Sequence, residues 1–397
     1  MVSRKRSLAA AILLASSQLA VAGDLNINGF MNVTAGYLDN KDVGVTGYED
    51  GINFDQGTLV GLQLSQQVND TTSATVQLIS RGSERYQTEA AWAYITYAAG
   101  ENTDLRAGRL RTPFFHYSDF LEVGYAFNWV SPPSVVYRLN DMSSMTGVDM
   151  THRFSAGSLD GSVQIYAGRY NDDFTLSGDS YEMELRRAGG AVVSLNYDNF
   201  GSRISYHKAD FYINGLDPTG DRALDQLIAL ATGYDMANGT DITSEFVPDG
   251  ETSNFYQASL SWDNGDTALL AEYTALRHDS ALLNDDDAWM VGASQRITAA
   301  TALHLTYAHS EDQLKSGDTG IAQSFTESEN DSIILGLRYD YDSAATIKFE
   351  VQHLTDKSSD KRLAAIAANP ADIDGARNLS LTEESGVLYN VGLSLVF

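Results

Sequence analysis

The chain closes on SGVLYNVGLSLVF, residues 385–397. From Val387 every second side chain is bulky and apolar: Val387, Tyr389, Val391, Leu393, Leu395 and Phe397. Between them stand mostly small or polar residues, among them Asn390, Gly392 and Ser394. A period of two is the signature of a β-strand with one apolar and one polar face. Chain ends ordinarily fray, so a regular strand that runs to the last residue needs a partner. The first strand of the same sheet can supply one, and a sheet whose last strand pairs with its first has no free edge.

The same alternation recurs upstream. Leu25, Ile27, Gly29, Met31, Val33, Ala35 and Tyr37 oppose Asn26, Asn28, Asn32 and Thr34. Tyr256, Ala258, Leu260 and Trp262 oppose Gln257, Ser259 and Ser261, and Ile333, Leu335, Leu337 and Tyr339 oppose Gly336 and Arg338. About sixteen such segments of roughly ten residues follow one another, the length at which a tilted strand crosses a bilayer. Short polar connections (68–73, 98–103, 197–202, 262–267, 297–301, 341–346) alternate with long ones (38–56, 112–147, 171–180, 211–253, 277–286, 310–330, 355–385). So many polar faces need a second aqueous compartment, which a wide lumen provides. The pattern predicts an all-β transmembrane antiparallel barrel of about 16 strands, with short periplasmic turns, long extracellular loops and aromatic residues near the strand ends.

The other end of the chain fits export. Arg4, Lys5 and Arg6, an apolar run from Leu8 to about Leu14, and Ala20-Val21-Ala22 have the three-part layout of a signal peptide over residues 1–22, leaving a barrel domain of 23–397. Removing those three basic residues takes the formal charge from −27 to −30, which excludes nucleic acid as a partner. Without cysteine there is no disulfide framework and no thiolate metal site. The seven histidines form no HExxH motif, and neither a Gly-x-Ser-x-Gly elbow nor a phosphate loop is present. The sequence therefore offers no catalytic residue, cofactor site or metal site, and acidic runs at 284–287 and 326–331 read as solvated loop charge.

One long connection differs from the rest. Residues 106–147 carry Phe114, Phe115, Tyr117, Phe120, Trp129 and Tyr137, together with Pro113 and Pro132-Pro133. Aromatic residues at this density suit a loop folded into the lumen and packed on its wall, with Phe114, Phe115, Tyr117 and Trp129 as packing residues. Within it, 118–124 is read as a short helical turn with Ser118 as N-cap. By alternation Arg81, Arg106, Arg153, Arg203, Arg338 and Lys348 share the lumen-facing parity. Arg109 and Arg111, counted with the same channel-wall bases, fall on the opposite parity from Arg106 and face the pore only if a bulge at Gly108 flips the register or the strand has already ended. A further stretch, 219–236, has Leu224, Leu227, Ile228 and Leu230 at helical spacing.

With its signal layout, sixteen segments, terminal Phe397 and the third long loop GRLRTPFFHYSDFLEVGYAFNWVSPPSVVYR (108–138), the chain resembles the general porins of Gram-negative outer membranes. The resemblance implies a homotrimer of barrels in outer-membrane lipid and lipopolysaccharide, each pore narrowed by the inward loop. It implies passive passage of small hydrophilic solutes and ions, with Asp119 and Glu122 as loop acids facing a basic wall cluster. It also makes the terminal strand, with Tyr389 and Phe397, the signal read by the outer-membrane assembly machinery. The alternative is a substrate-specific channel of the same architecture with a site for anionic nutrients.

Overall fold

The computed structural model describes residues 25–40, 51–139, 142–176, 179–217, 223–241, 249–279, 284–313, 328–358 and 382–397, with Val43, Gly47, Tyr48 and Thr243. The expected signal peptide lies outside them. Sixteen strands form one sheet: β1 (Asn26–Leu38), β2 (Leu59–Asn69), β3 (Thr72–Arg81), β4 (Thr88–Gly100), β5 (Thr103–Arg111), β6 (Ser144–Ala156), β7 (Leu159–Leu176) and β8 (Asp179–Tyr197). There follow β9 (Phe200–Asn214), β10 (Asp249–Asp263), β11 (Thr267–His278), β12 (Asp285–Thr298), β13 (Thr301–Gln313), β14 (Ser328–Asp342), β15 (Ala345–Ser358) and β16 (Thr382–Val396). Every strand pairs antiparallel with its sequence neighbour, and β1 with β16, so the barrel is closed.

The seam is where the terminal strand places it. Val33 lies opposite Leu393 and Tyr37 opposite Tyr389, and below them Phe397 N–H donates to Gly29 O at 2.9 Å while Gly29 N–H donates to Phe397 O at 2.6 Å. Closure satisfies the backbone groups that lipid cannot hydrate. The outward face is the apolar one: Ile27, Val60, Ile95, Leu105, Ile165, Ile204, Leu260, Leu305, Leu335 and Tyr389 are all exposed on the barrel surface.

Three details differ from the sequence reading. Residues 171–180 are mostly strand, because β7 and β8 run on for 18 and 19 residues and form a tall wall. The connection 82–87 after β3 is short, and β2, β3 and β5 have only 11, 10 and 9 residues, so the wall is low there. The acids Asp286, Asp287, Glu329 and Asp331, expected in loops, stand on β12 and β14, where Asp286 meets Arg138 and Asp287 meets Arg277. The helical spacing at 219–236 corresponds to α1 (Ala223–Asn238), whose Ile228 packs with Tyr170, Tyr181, Met183, Phe211 and Ile213 on the inner face of the tall wall.

Candidate functional site: the lumen and its inward loop

The loop after β5 enters the barrel. Phe114 and Phe115 are buried, their rings 5.2 and 5.6 Å from that of Phe255 on β10, and Phe115 lies 4.6 Å from Tyr137. Tyr117 meets Trp129 edge-on at 5.6 Å, and Trp129 Nε1 donates to Thr306 at 2.9 Å. The inner wall under them is apolar, with Phe255, Leu270, Met290 and Ile334 buried in the same cluster. These inward apolar residues break the polar alternation where the loop docks. Each buried aromatic contributes about 1.5–3 kcal/mol relative to exposure, which is why a segment of this composition leaves water for the wall.

The short helical turn is a 3-10 turn over Ser118–Phe120 in which Tyr117 takes the N-cap position. Ser118 is not the cap: its hydroxyl accepts from Phe115 N–H at 2.8 Å and tightens the preceding bend.

Backbone groups of the loop are matched one by one to the wall. Lys348, fully buried, donates to the carbonyls of Gly124 and Trp129 at 2.5 Å each. Arg338 donates to those of Tyr125 (2.8 Å) and Phe127 (3.0 Å), and Arg203 to those of Pro113 and Phe114. Acids take the N–H groups: Glu350 accepts from Val130 at 2.8 Å, and Glu272 from His116 N–H at 2.7 Å and Tyr137 O–H at 2.7 Å. Asn32 of β1 donates to Glu122 O at 2.9 Å, and Tyr125 O–H reaches Ser343 O, in the turn after β14, at 2.8 Å. Buried backbone groups need such partners, and each one left bare costs roughly 1–3 kcal/mol.

The predicted basic residues thus divide by what they touch. Arg203, Arg338 and Lys348 hold the loop. Arg106 forms a two-oxygen pair with Asp149, and Gln164 donates to the same carboxylate. Arg153 is paired with Asp104 at 2.8 Å near the short-turn rim. Arg81 meets Glu89 at 2.6 Å and Glu122 at 3.2 Å, Arg109 reaches Glu89 at 3.6 Å, and buried Arg111 is paired with Glu122 while its guanidinium lies over Trp92. The register of β5 runs unbroken past Gly108, whose φ is +139°, yet the Arg109 side chain reaches Glu89 and lines the same cavity as Arg81 and Glu122. Glu122 is buried against its two arginines. Asp119 is exposed and forms no ion pair among the described residues, yet its charge is felt by Arg106, Arg111 and Arg203.

The sequence reading missed Asn32, Asp149, Glu272 and Glu350. The last three carried a signal in being carboxylates at lumen-facing strand positions. The loop docks on the wall from β9 round to β1, and an open cavity of about 1370 Å³ remains, lined in part by Arg81, Glu89, Glu122, Leu121 and Tyr166 and reaching His207 on β9 and Gln352 on β15.

Burial, reinforced by Arg203, lowers the His116 imidazole from 6.5 to about 4. A depressed folded value means neutral His116 contributes stability that is complete above pH 6.5 and is lost as pH falls toward 4. Thermal unfolding at pH 7 and pH 4.5 should show wild type losing more stability over that interval than His116→Asn, by on the order of 1–3 kcal/mol. Equal losses would mean that His116 takes up its proton without disturbing the loop.

A closed, lipid-faced barrel with a polar, loop-narrowed lumen is an outer-membrane channel, and fold and family point to a channel rather than an enzyme. Residues 7–315 match the family model of the Gram-negative porins, and the chain belongs to that family. No curated relative matches by sequence. Among solved structures, a loop L8 deletion mutant of OmpT, an outer membrane protein of Vibrio cholerae, is similar over 94% of this chain and 99% of its own, with TM-score 0.57 and 13% identity. The anion-selective porin from Comamonas acidovorans matches over 94% and 99%, with TM-score 0.55 and 12% identity. Salmonella typhi OmpF in complex with daunomycin matches over 94% and 97%, with TM-score 0.54 and 12% identity. At these identities the likeness is one of fold.

Proposed function

We propose that the chain forms a water-filled pore for passive diffusion of small hydrophilic solutes and ions, sorted by size and charge where the inward loop faces β2–β8. The observation that carries this reading is the loop itself, stitched to one side of the wall so that the other side stays open. At the narrowing, the charge of exposed Asp119 is felt by Arg106, Arg111 and Arg203, of which Arg106 is already matched by Asp149 and Arg111 by Glu122. Opposed fixed charges in a low-dielectric-walled gap orient polar solutes and penalise apolar ones. Among the described residues of the loop, Asp119 is the acid whose charge is not neutralised by contact, so it is assigned the larger share of ion choice, and Glu122 a structural share.

Single-channel recording in planar bilayers tests this. Wild type should conduct ohmically, and Asp119→Asn should shift the reversal potential in a salt gradient toward anion preference, with roughly a 1.5- to 3-fold change in permeability ratio. An unmoved reversal potential would remove Asp119 from the constriction. Block by a low concentration of one anionic nutrient would favour the substrate-specific alternative. The homotrimer, cleavage of residues 1–22, and recognition of Tyr389 and Phe397 by the assembly machinery belong to the same proposal. In support, Tyr389 and Phe397 are both exposed on the barrel surface.

A further inference from the structure

The inner face of the tall wall is apolar where a water-filled passage calls for polar side chains. In register across β7, β8 and β9, Tyr170 lies opposite Leu185 and Leu185 opposite Phe211. In the next inward row Asp172 lies opposite Met183, and Met183 opposite Ile213. Residues directly opposite share a face of the sheet, and this face is the lumen side. Tyr170, Met183, Phe211 and Ile213 pack with Ile228 of α1, and all four line the cavity of about 1370 Å³. Tyr170 stands well beyond Leu159, the first residue of β7, so the rows lie toward the long-loop end of the barrel, in its outer vestibule. Apolar side chains gain nothing from facing water, and α1 accounts for only part of this surface. Leu185, like Leu139, Met142 and Leu276 on the same cavity, is left half-buried.

Negative charge is set into this shelf. Asp172 is exposed; its Oδ1 accepts from Asp173 N–H at 2.9 Å, and the carboxylate forms no ion pair among the described residues. Glu251 ends the Tyr170 row, opposite Phe211. Its Oε2 is buried and has no hydrogen-bond partner among the described residues. A buried acceptor left bare is unfavourable, so both carboxylates favour an incoming donor or cation. The cavity as a whole leans the same way: Glu84, Glu89, Glu122, Asp172, Asp173 and Glu350 line it against Arg81, Arg109 and Lys208. Of these bases, Arg81 and Arg109 already meet Glu89, and Arg81 meets Glu122 as well.

We propose that the vestibule shelf on β7–β9 is a binding site for amphipathic organic cations, an aromatic or alicyclic body carrying an ammonium group. The body lies on Tyr170, Met183, Leu185 and Phe211, and the ammonium group meets Asp172, with the Glu251 Oε2 acceptor at the end of the adjacent row. A largely apolar lining with a few placed polar groups is the usual make-up of a small-molecule site, and the faces of Tyr170 and Phe211 add attraction for a cation. The proposal rests on the channel reading and adds a substrate class to it: solutes of this kind dwell above the narrowing, whereas other small solutes are sorted by size and charge alone.

The test uses three probes on the full chain in planar bilayers at neutral pH: tryptamine, ethylamine (the same charge without the body) and indole-3-propionate (a similar body with the opposite charge). Tryptamine should interrupt the current of single channels, and the other two, at equal concentration, should block at least about tenfold less of the time. Asp172→Asn should weaken tryptamine block about threefold to fivefold, and Leu185→Gln about tenfold. Heat-modifiable mobility on gels checks that both variants fold. Saturation-transfer NMR of the detergent-purified chain should give the same order of probes and variants, and it needs no current. Equal block by ethylamine would reduce the effect to charge, and equal block by indole-3-propionate would reduce it to the apolar wall; either overturns the proposal. Unchanged tryptamine affinity in both variants also overturns it, by placing the ligand elsewhere. An ohmic channel that tryptamine neither interrupts nor binds removes the shelf alone, whereas binding of tryptamine by a chain that does not conduct removes the channel reading alone.

Discussion

Glu122→Gln is expected to lower the stability of the barrel by about 3–5 kcal/mol and to loosen its loop, because it strands a buried cation. Glu122 is held between Arg111 and Arg81, and Arg111 is almost wholly buried. Removing the carboxylate charge leaves two guanidiniums facing each other with their shared counter-charge gone. Asp119 is felt by Arg111 but forms no ion pair with it among the described residues, and Glu89 is already shared between Arg81 and Arg109. The remaining anchors here are Asn32, donating to the Glu122 carbonyl, and Lys348, donating to that of Gly124, so single-channel traces should become noisier and the mean conductance higher. The double variant Glu122→Gln, Arg111→Met should regain about half of the lost stability, because the orphaned charge goes too. Urea midpoints read by gel mobility measure both, and a single variant as stable as wild type would show that the pair contributes nothing net.

Gly108→Val is expected to abolish or nearly abolish the folded barrel. The residue sits at φ +139°, where a side chain, above all a β-branched one, is strained by about 1–3 kcal/mol. A Cβ there would also lie 2.2 Å from Ala93 O and 2.8 Å from Tyr94 Cα, both backbone atoms of β4 that cannot swing aside. Overpacking against backbone adds about 1–3 kcal/mol or more. The heat-modifiable band should fall at least tenfold relative to wild type. Gly51→Val, with no atom within 4 Å of the added Cβ, serves as the control. A normally folded Gly108→Val would mean that β4 and β5 do not approach at this row as closely as described.

The barrel was legible because its determinants are local and repeated. Alternation along β1, β10, β14 and β16 sets which face meets lipid, and the regular alternation of β16 suits a strand paired on both sides, as it is with β15 and β1. The aromatic content of 114–137 was enough to send that loop inward. Legibility stopped where two distant segments meet. Lys348 and Arg203 have the same parity and charge as Arg106, but two of the three serve loop carbonyls and one serves Asp149. Asp119 and Glu122 are three residues apart with the same chemistry, yet one is exposed and the other buried between two arginines. Strand ends were also misjudged at 171–180, where polar residues on an extended wall look like a loop because water, not lipid, surrounds both faces.

By itself the sequence determined the period, the number of crossings, the lipid-facing set and the loop that leaves solvent, since each follows from how side chains partition between water and an apolar phase. Only the tertiary structure decided which charge neutralises which, where the wall leaves no room for a side chain, and which loop acid stays free. Those depend on register and on the path of the loop across the lumen, and ion pairing and hydrogen bonding act over a few ångströms between residues far apart in the chain.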